Sequence, residues 1–291
     1  MLKKLIFKVV EEVEDLVSEE FVDENKLVVK KRLFEGGSVH ETITEYDSSR
    51  KITSETDLEN GVELNRLEFD YDSQSRNTEE RLYMSGELYQ TKTTVYDASG
   101  YTKTTLIEDE ESEKEVKLIE GRNYKIHYYE NGELDQYQIC EFDETGLNSV
   151  LKAYDDHDNL IAEDFETFNE SGRLLASKEL DGKGNLIREV LYELEGDLYV
   201  AETVKDFSTG GTNNVVNRQI EYDANGNQIK IDVKTPDGKL LGFQLFEYDE
   251  NNRVILEKGL SLGSFNAIYG TSVNDNSFHF VFKYEEVDSL E

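Results

Sequence analysis

The stretch 222-YDANGNQIKIDVKTPDGKLLGFQLFEYDENNRVILEKG-259 decides the fold. It opens on Tyr222-Asp223 and a turn of Asn and Gly, then runs through QIKIDV (228–233). It turns again at Pro236-Asp237-Gly238, runs through GFQLFEY (242–248) and returns to Tyr248-Asp249. Asp, Asn and Gly tolerate the backbone angles of tight turns. Short runs rich in Val, Ile, Thr, Tyr and Phe with partial alternation read as strands. One such cell is one hairpin, out and back.

The cell recurs along the chain. An apolar residue followed by Asp, Glu or Asn and a turn cluster occurs at Val22-Asp23, Tyr46-Asp47, Tyr71-Asp72, Tyr96-Asp97 and Ile119-Glu120. It occurs again at Phe142-Asp143, Phe168-Asn169, Leu194-Glu195, Tyr222-Asp223 and Tyr248-Asp249. Val22, Ile119 and Leu194 are the degenerate members. A second set of turns falls midway, at 35–37, 59–61, 85–86, 108–112, 130–132, 155–159, 181–185, 208–211 and 236–238. The pattern predicts an all-β chain: a long antiparallel meander of about 20 strands in ten hairpin repeats of about 25 residues. Open twisted sheets rarely exceed about ten strands without curling, so the expected form is a twisted, coiled ribbon, solenoid-like in its contacts. The Asp is expected to hold its turn, and the Tyr to stack on the aromatic one repeat away. Residues 1–21 are expected to cap the array as strands or as a short helix over 8–20. Residues 22–258 form the repeat domain. Residues 259–291 form a second cap, in which SFHFVFKYE reads as a strand.

The chain has 291 residues, with 64 Asp and Glu against 31 Lys and Arg. Its net charge of −33 repels phosphate backbones and anionic membranes and steers a basic protein partner inward. Apolar content is only 37%, yet 17 Tyr and 14 Phe give the chain something to bury. Cys140 is the one cysteine, so no internal disulfide forms. The opening MLKKLIFKVVEEVED resembles neither a secretory leader nor a membrane helix, and the expected location is the cytoplasm.

YDASGY (96–101), YDANGN (222–227), FDETGL (142–147), FNESGR (168–173) and YDENNR (248–253) resemble the cells of YD-repeat, or Rhs-like, proteins. YYENGELDQY (128–137) and DGKLLGF (237–243) look like the MORN-type variant repeats of bacterial antitoxin-like proteins. The resemblance spans about residues 22–258 and carries no catalytic motif. It implies a bacterial protein of toxin–immunity or surface-interaction type.

No catalytic site and no cofactor is expected. His40, His127, His157 and His279 are scattered. Asp155, Asp156 and Asp158, beside His157, are weak candidates for a hard cation, set against the ordinary chemistry of a turn. Asp223–Asn227 and Asp181–Asn185 raise the same question and have the same answer. No phosphate-binding or dinucleotide-binding fingerprint occurs, the Gly-containing 208–217 segment included. Cys140 reads as a packed thiol. The sharpest charged feature is IEDEESEKE (107–115), where Glu108, Asp109, Glu110, Glu111 and Glu113 form a candidate docking surface for a basic protein. A second acidic run, EEVEDLVSEE, covers 11–20. The functional expectation is a non-enzymatic immunity protein or antitoxin that occludes a basic toxin such as a nuclease. The alternative is a structural repeat scaffold that spaces its partners.

Overall fold

The computed structural model describes residues 1–208, 215–261 and 277–288. Among these residues there are 22 strands in one sheet and no helix. The expected turn at 208–211 and much of the expected cap after 261 lie largely outside the described residues.

Turn chemistry sets the topology. Strands β3 (Val28–Glu35) and β4 (Ser38–Tyr46) are joined by Gly36-Gly37, both left-handed, with Glu35 opposite Ser38. A turn this short forces antiparallel neighbours. The next connection, from β4 to β5 (Ile52–Glu59), is the five-residue loop 47–51, with Tyr46 opposite Ile52. The helix considered over 8–20 does not form. Glu11-Glu12 instead joins β1 (Leu2–Val10) to β2 (Val13–Val22), with Val10 opposite Val13.

The sheet does not remain an open ribbon. Strand β1 pairs on one side with β2 and on the other with the last strand, β22 (Ser277–Glu286), in a register running from Leu2↔Glu286 to Lys8↔Phe280. The 22-stranded sheet therefore closes, a β-barrel in its topology, and the expectation of an open coil is corrected. The physical reason is a recurrent bulge. Register shifts fall immediately before Val22, Tyr46, Tyr71, Phe168, Tyr222 and Tyr248, the aromatic or apolar position of the repeat. Each bulge adds twist and bends its strand, so bulges at most of the repeats curl the sheet toward closure.

Closure also corrects the cytoplasmic assignment. That expectation rested on the opening sequence, and among the described residues no helix is long and apolar enough to cross a membrane. A chain that crosses with strands needs no such helix, because a closed sheet pairs every backbone group and alternates the residues it faces outward. A closed antiparallel sheet with an even number of strands points to an outer-membrane barrel rather than to a cytoplasmic protein.

The chain divides into two compact units. The first comprises Met1–Lys117, Tyr128–Leu134 and Phe280–Glu291. It carries a half-buried ionic row. Glu19 lies opposite Arg32, which lies opposite Glu41. Lys3 and Arg32 reach Glu19 at 2.6 and 3.3 Å, and Arg32 and Lys30 reach Glu41 at 2.7 and 2.8 Å. Phe21, 1% exposed, is sandwiched between the cations of Lys3 and Arg32. The second unit, Leu118–His127 and Asp135–His279, has an apolar cluster instead: Val190, Val204, Val216, Val233 and Leu241. Val190 lies opposite Val204, and Val204 opposite Val216, so the cluster is a row across adjacent strands.

Candidate binding surface

In the first unit the two ends of the strands are built differently. One end carries six two-residue turns: Glu11-Glu12, Gly36-Gly37, Asn60-Gly61, Ser85-Gly86, Glu108-Asp109 and Asn131-Gly132. All twelve residues have positive φ, the geometry of type I′ turns that match the twist of a hairpin. Four of the turns place Gly second. The other two place consecutive carboxylates there, with Glu11 and Glu12 at 50° and 66° and Glu108 and Asp109 at 50° and 69°. The left-handed region disfavours side chains by roughly 1–2 kcal/mol per residue. These are the turns of the two acidic runs.

The surroundings of these turns are acidic and partly apolar. Glu108, Asp109, Glu110, Glu111 and Glu113 are all exposed. The turn joins β9 (Gly100–Ile107) to β10 (Glu110–Glu120), so the candidate docking residues sit together at a hairpin tip. At the same end Glu35, Glu87, Glu130 and Glu133 are exposed beside their turns. So are Val13 at 59%, Val62 at 66% and Leu88 at 48%. The exposed apolar side chains flanking these turns were not foreseen; the residues next to Asn-Gly and Ser-Gly were the available signal.

The opposite end is built on the five-residue loops 23–27, 47–51 and 72–76 and a shorter one at 97–99. In each five-residue loop the repeat Asp accepts amide hydrogen bonds from two residues of its own loop. Asp47 accepts from Ser49 at 2.7 Å and Lys51 at 3.0 Å, and Asp72 from Gln74 at 2.8 Å and Arg76 at 3.0 Å. The Asp72 carboxyl is held below the usual carboxylate range, chiefly by the Arg76 amide and then by the Arg76 guanidinium. The aromatic of the repeat does not stack on its counterpart. Its hydroxyl donates to the first residue of the neighbouring strand: Tyr46 to Val28 at 3.0 Å, Tyr71 to Ile52 at 2.8 Å, and Tyr96 to Asn77 at 3.0 Å. The next ring is covered instead by a cation from the loop, with Lys51 over Tyr71 at 4.5 Å and Arg76 over Tyr96 at 4.2 Å. Five-residue spacing in the loop presents the basic residue, not another ring, to the neighbouring Tyr.

In the second unit the same hydroxyl bond joins Tyr222 to Tyr199 and Tyr248 to Gln228, at 2.8 and 2.7 Å. The degenerate repeats at Ile119 and Leu194 lack both Tyr and Asp. Their loops shrink to Gly121-Arg122 and Gly196-Asp197, where only the glycine is left-handed, as a type II′ turn requires.

The weak metal candidates serve a turn. Asp155 accepts the amides of His157 at 3.0 Å and Asn159 at 2.8 Å, and its second oxygen takes the Asn159 side chain at 2.9 Å. Asp158 accepts the Tyr137 hydroxyl at 2.8 Å, and Asp156 meets Nδ1 of His157 at 2.6 Å. Asp155, Asp156 and His157 could bring one ligand atom each within 4.8 Å of one another. The carboxylate of Asp155 is already engaged by three donors, so the arrangement is that of an Asx loop. Cys140 is buried in its strand.

No protein-family model matches the chain, and no curated protein does. Among solved structures, a porin-like protein from Bacteroides uniformis ATCC 8492 is similar at 8% identity and a TM-score of 0.32, covering 97% of each chain. A porin-like protein from Bacteroides vulgatus ATCC 8482 is similar at 10% identity and a TM-score of 0.26, over 84% of this chain and 98% of that one. TcdB2-TccC3 without its hypervariable C-terminal region is similar at 12% identity and a TM-score of 0.25, over 94% of this chain and 18% of that one. At these scores the likeness extends to antiparallel β-structure and carries neither family nor activity.

Proposed function

We propose that this is a non-enzymatic binding protein that captures a basic protein partner on the acidic turn end of its first unit. In the sharpest form of this reading it neutralises a cationic toxin by covering it, as the resemblance to antitoxin-like repeats implies. The observation that supports it most is the difference between the two ends of the strands. Cations are placed in the loops of one end, where they cover tyrosines; at the other end acids and apolar side chains stand exposed together. Such a surface steers a basic protein by its field and anchors it by desolvating Val and Leu. Two strained acidic turns lie within it, and strain retained at a surface is a feature of functional sites.

The test is co-expression with the basic product of an adjoining gene, followed by pull-down at low and high salt. Co-purification at low salt is expected, weakened by salt and abolished by Glu108→Gln, Asp109→Asn, Glu110→Gln and Glu111→Gln together. No co-purification at low salt, or equal retention by that variant, overturns the proposal.

A further inference from the structure

We propose that Asn131-Gly132, at the acidic turn end of the first unit, is a self-modifying site whose asparagine loses ammonia and becomes an aspartyl or isoaspartyl residue. Asn-Gly is the dipeptide most open to this reaction, because glycine has no side chain to shield its amide nitrogen. The Gly132 nitrogen attacks Cγ of Asn131, and the bond from Cγ to the side-chain nitrogen breaks. That nitrogen leaves as ammonia, carrying the proton that the Gly132 amide gave up, and a cyclic succinimide remains. Water then opens the ring at either carbonyl, leaving a carboxylate where the carboxamide was. No enzyme, oxidant or metal is required.

The chain carries three Asn-Gly pairs, at 60–61, 131–132 and 225–226, and the structure treats them differently. In the Asp223 loop both reacting groups are engaged: the Gly226 amide donates to the Asp223 carbonyl at 3.1 Å, and the Asn225 side chain donates to Asn252 at 3.3 Å. Asn60 and Asn131 occupy the same kind of hairpin turn. Their φ angles are 51° and 50°, and those of the following glycines are 81° and 83°. Each donates its own amide to the neighbouring strand, Asn60 to Val39 at 2.8 Å and Asn131 to Ser112 at 2.9 Å. Both are exposed and both follow a Glu. One bond separates them. The Asn60 side-chain oxygen accepts the Val39 amide at 3.0 Å, which holds the carboxamide against the neighbouring strand. The Asn131 carboxamide and the Gly132 amide have no hydrogen-bond partner among the described residues. A Cβ placed on Gly132 would meet nothing within 4 Å, so the space beside the attacking nitrogen is open. Since the turn angles are shared, the hold on the carboxamide sets the order of reaction: Asn131 first, Asn60 second, Asn225 last. The product places a carboxylate between exposed Glu130 and Glu133, so the acidic field of this end grows as the protein ages. That consequence rests on the function proposed above; the chemistry does not.

The test keeps the whole protein in warm, mildly alkaline buffer and follows the three Asn-Gly peptides by mass spectrometry after digestion, with chromatography to separate the isoaspartyl forms. Asn131 should convert about fivefold faster than Asn60, the factor that a net hydrogen bond of about 1 kcal/mol gives. In urea the two share only the tripeptide Glu-Asn-Gly and should convert at equal rates. Equal rates in the folded protein, faster conversion of Asn60, or a difference that persists in urea overturns the site. Asn131→Asp should raise capture of the basic partner in the pull-down at low salt. If Asn131 converts as expected and this variant captures no better, the result counts against the proposed function alone.

Discussion

The two units hold themselves together by different chemistry on the same repeat. In the first, a row of alternating charges, Glu19–Arg32–Glu41 with Lys3 and Lys30, runs across adjacent strands; in the second, a row of valines does. The comparison explains how a chain with 37% apolar residues folds at all. Hairpins fix which side chains lie opposite one another, and the row then needs only to be complementary, by charge or by shape. It also separates what each unit should fear: lost partners in one, lost volume in the other.

The largest expected effect breaks the ionic row. Arg32→Ala leaves Glu19 and Glu41 short of a partner and should cost about 3–5 kcal/mol. Val216→Ala in the second unit should cost about 2 kcal/mol, the transfer of two methyl groups plus a cavity. Urea unfolding followed by far-ultraviolet circular dichroism measures both, since urea adds no ions. The Arg32 effect should shrink as salt is added and the Val216 effect should not. Equal salt dependence would remove the distinction between the units.

A smaller effect, of opposite sign, is expected at the strained turns of the first unit. Glu108→Asn with Asp109→Gly installs the residues that type I′ turns favour and should stabilise by about 1–2 kcal/mol. Under the proposed function the same variant should bind the partner less well. A destabilised variant would mean that these carboxylates hold the fold, and the division between a structural end and a binding end would fail.

The smallest effect is read from pH. Asp47, Asp72, Asp223 and Asp249 have carboxyls held below their usual range by donors of their own loops. For Asp249 burial acts first and in the opposite sense, and the Arg253 bonds outweigh it. Folded values below the unfolded one mean that this stability is fully present above about pH 4 and is lost as pH falls through the folded values. Asp72→Asn should keep the loop and lose part of this acid dependence. The chain already uses Asn at this position, since Asn169 accepts the amides of Ser171 and Arg173 at 3.1 and 2.9 Å. Asp72→Ala should weaken the fold at every pH. Unfolding midpoints between about pH 2 and 7 separate the three proteins.

Much of this was legible before the structure. Tyr222-Asp223 and its nine counterparts mark one set of turns and the Asn-Gly and Asp-Gly clusters the other, because turn angles are dictated by local residue type. The acidic hairpin at 107–115 was legible as charge. Its strain was not, because the run alone does not show that two residues make the turn. The ionic row was hidden for a related reason: Glu19, Arg32 and Glu41 meet only once register is known. The repeat tyrosines were expected to stack on one another across repeats; at Tyr96, Asn77 takes the hydroxyl and Arg76 a face, and the ring meets Tyr101 edge-on rather than its counterpart. Closure depends on a pairing between the two ends of a long chain, for which no local signal exists.

That pairing has a consequence for the order of assembly. Every other described ladder joins strands adjacent in sequence, but the β1–β22 seam brings Lys283 to Glu14 across 269 residues. Loop-closure entropy grows only with the logarithm of length, so shutting this ring costs about 2 kcal/mol more than closing one repeat. Seven matched residue pairs along the seam oppose that cost. Hairpins can therefore zip independently, and the seam shuts last, at a time set by the search of two distant strands rather than by any step within a repeat.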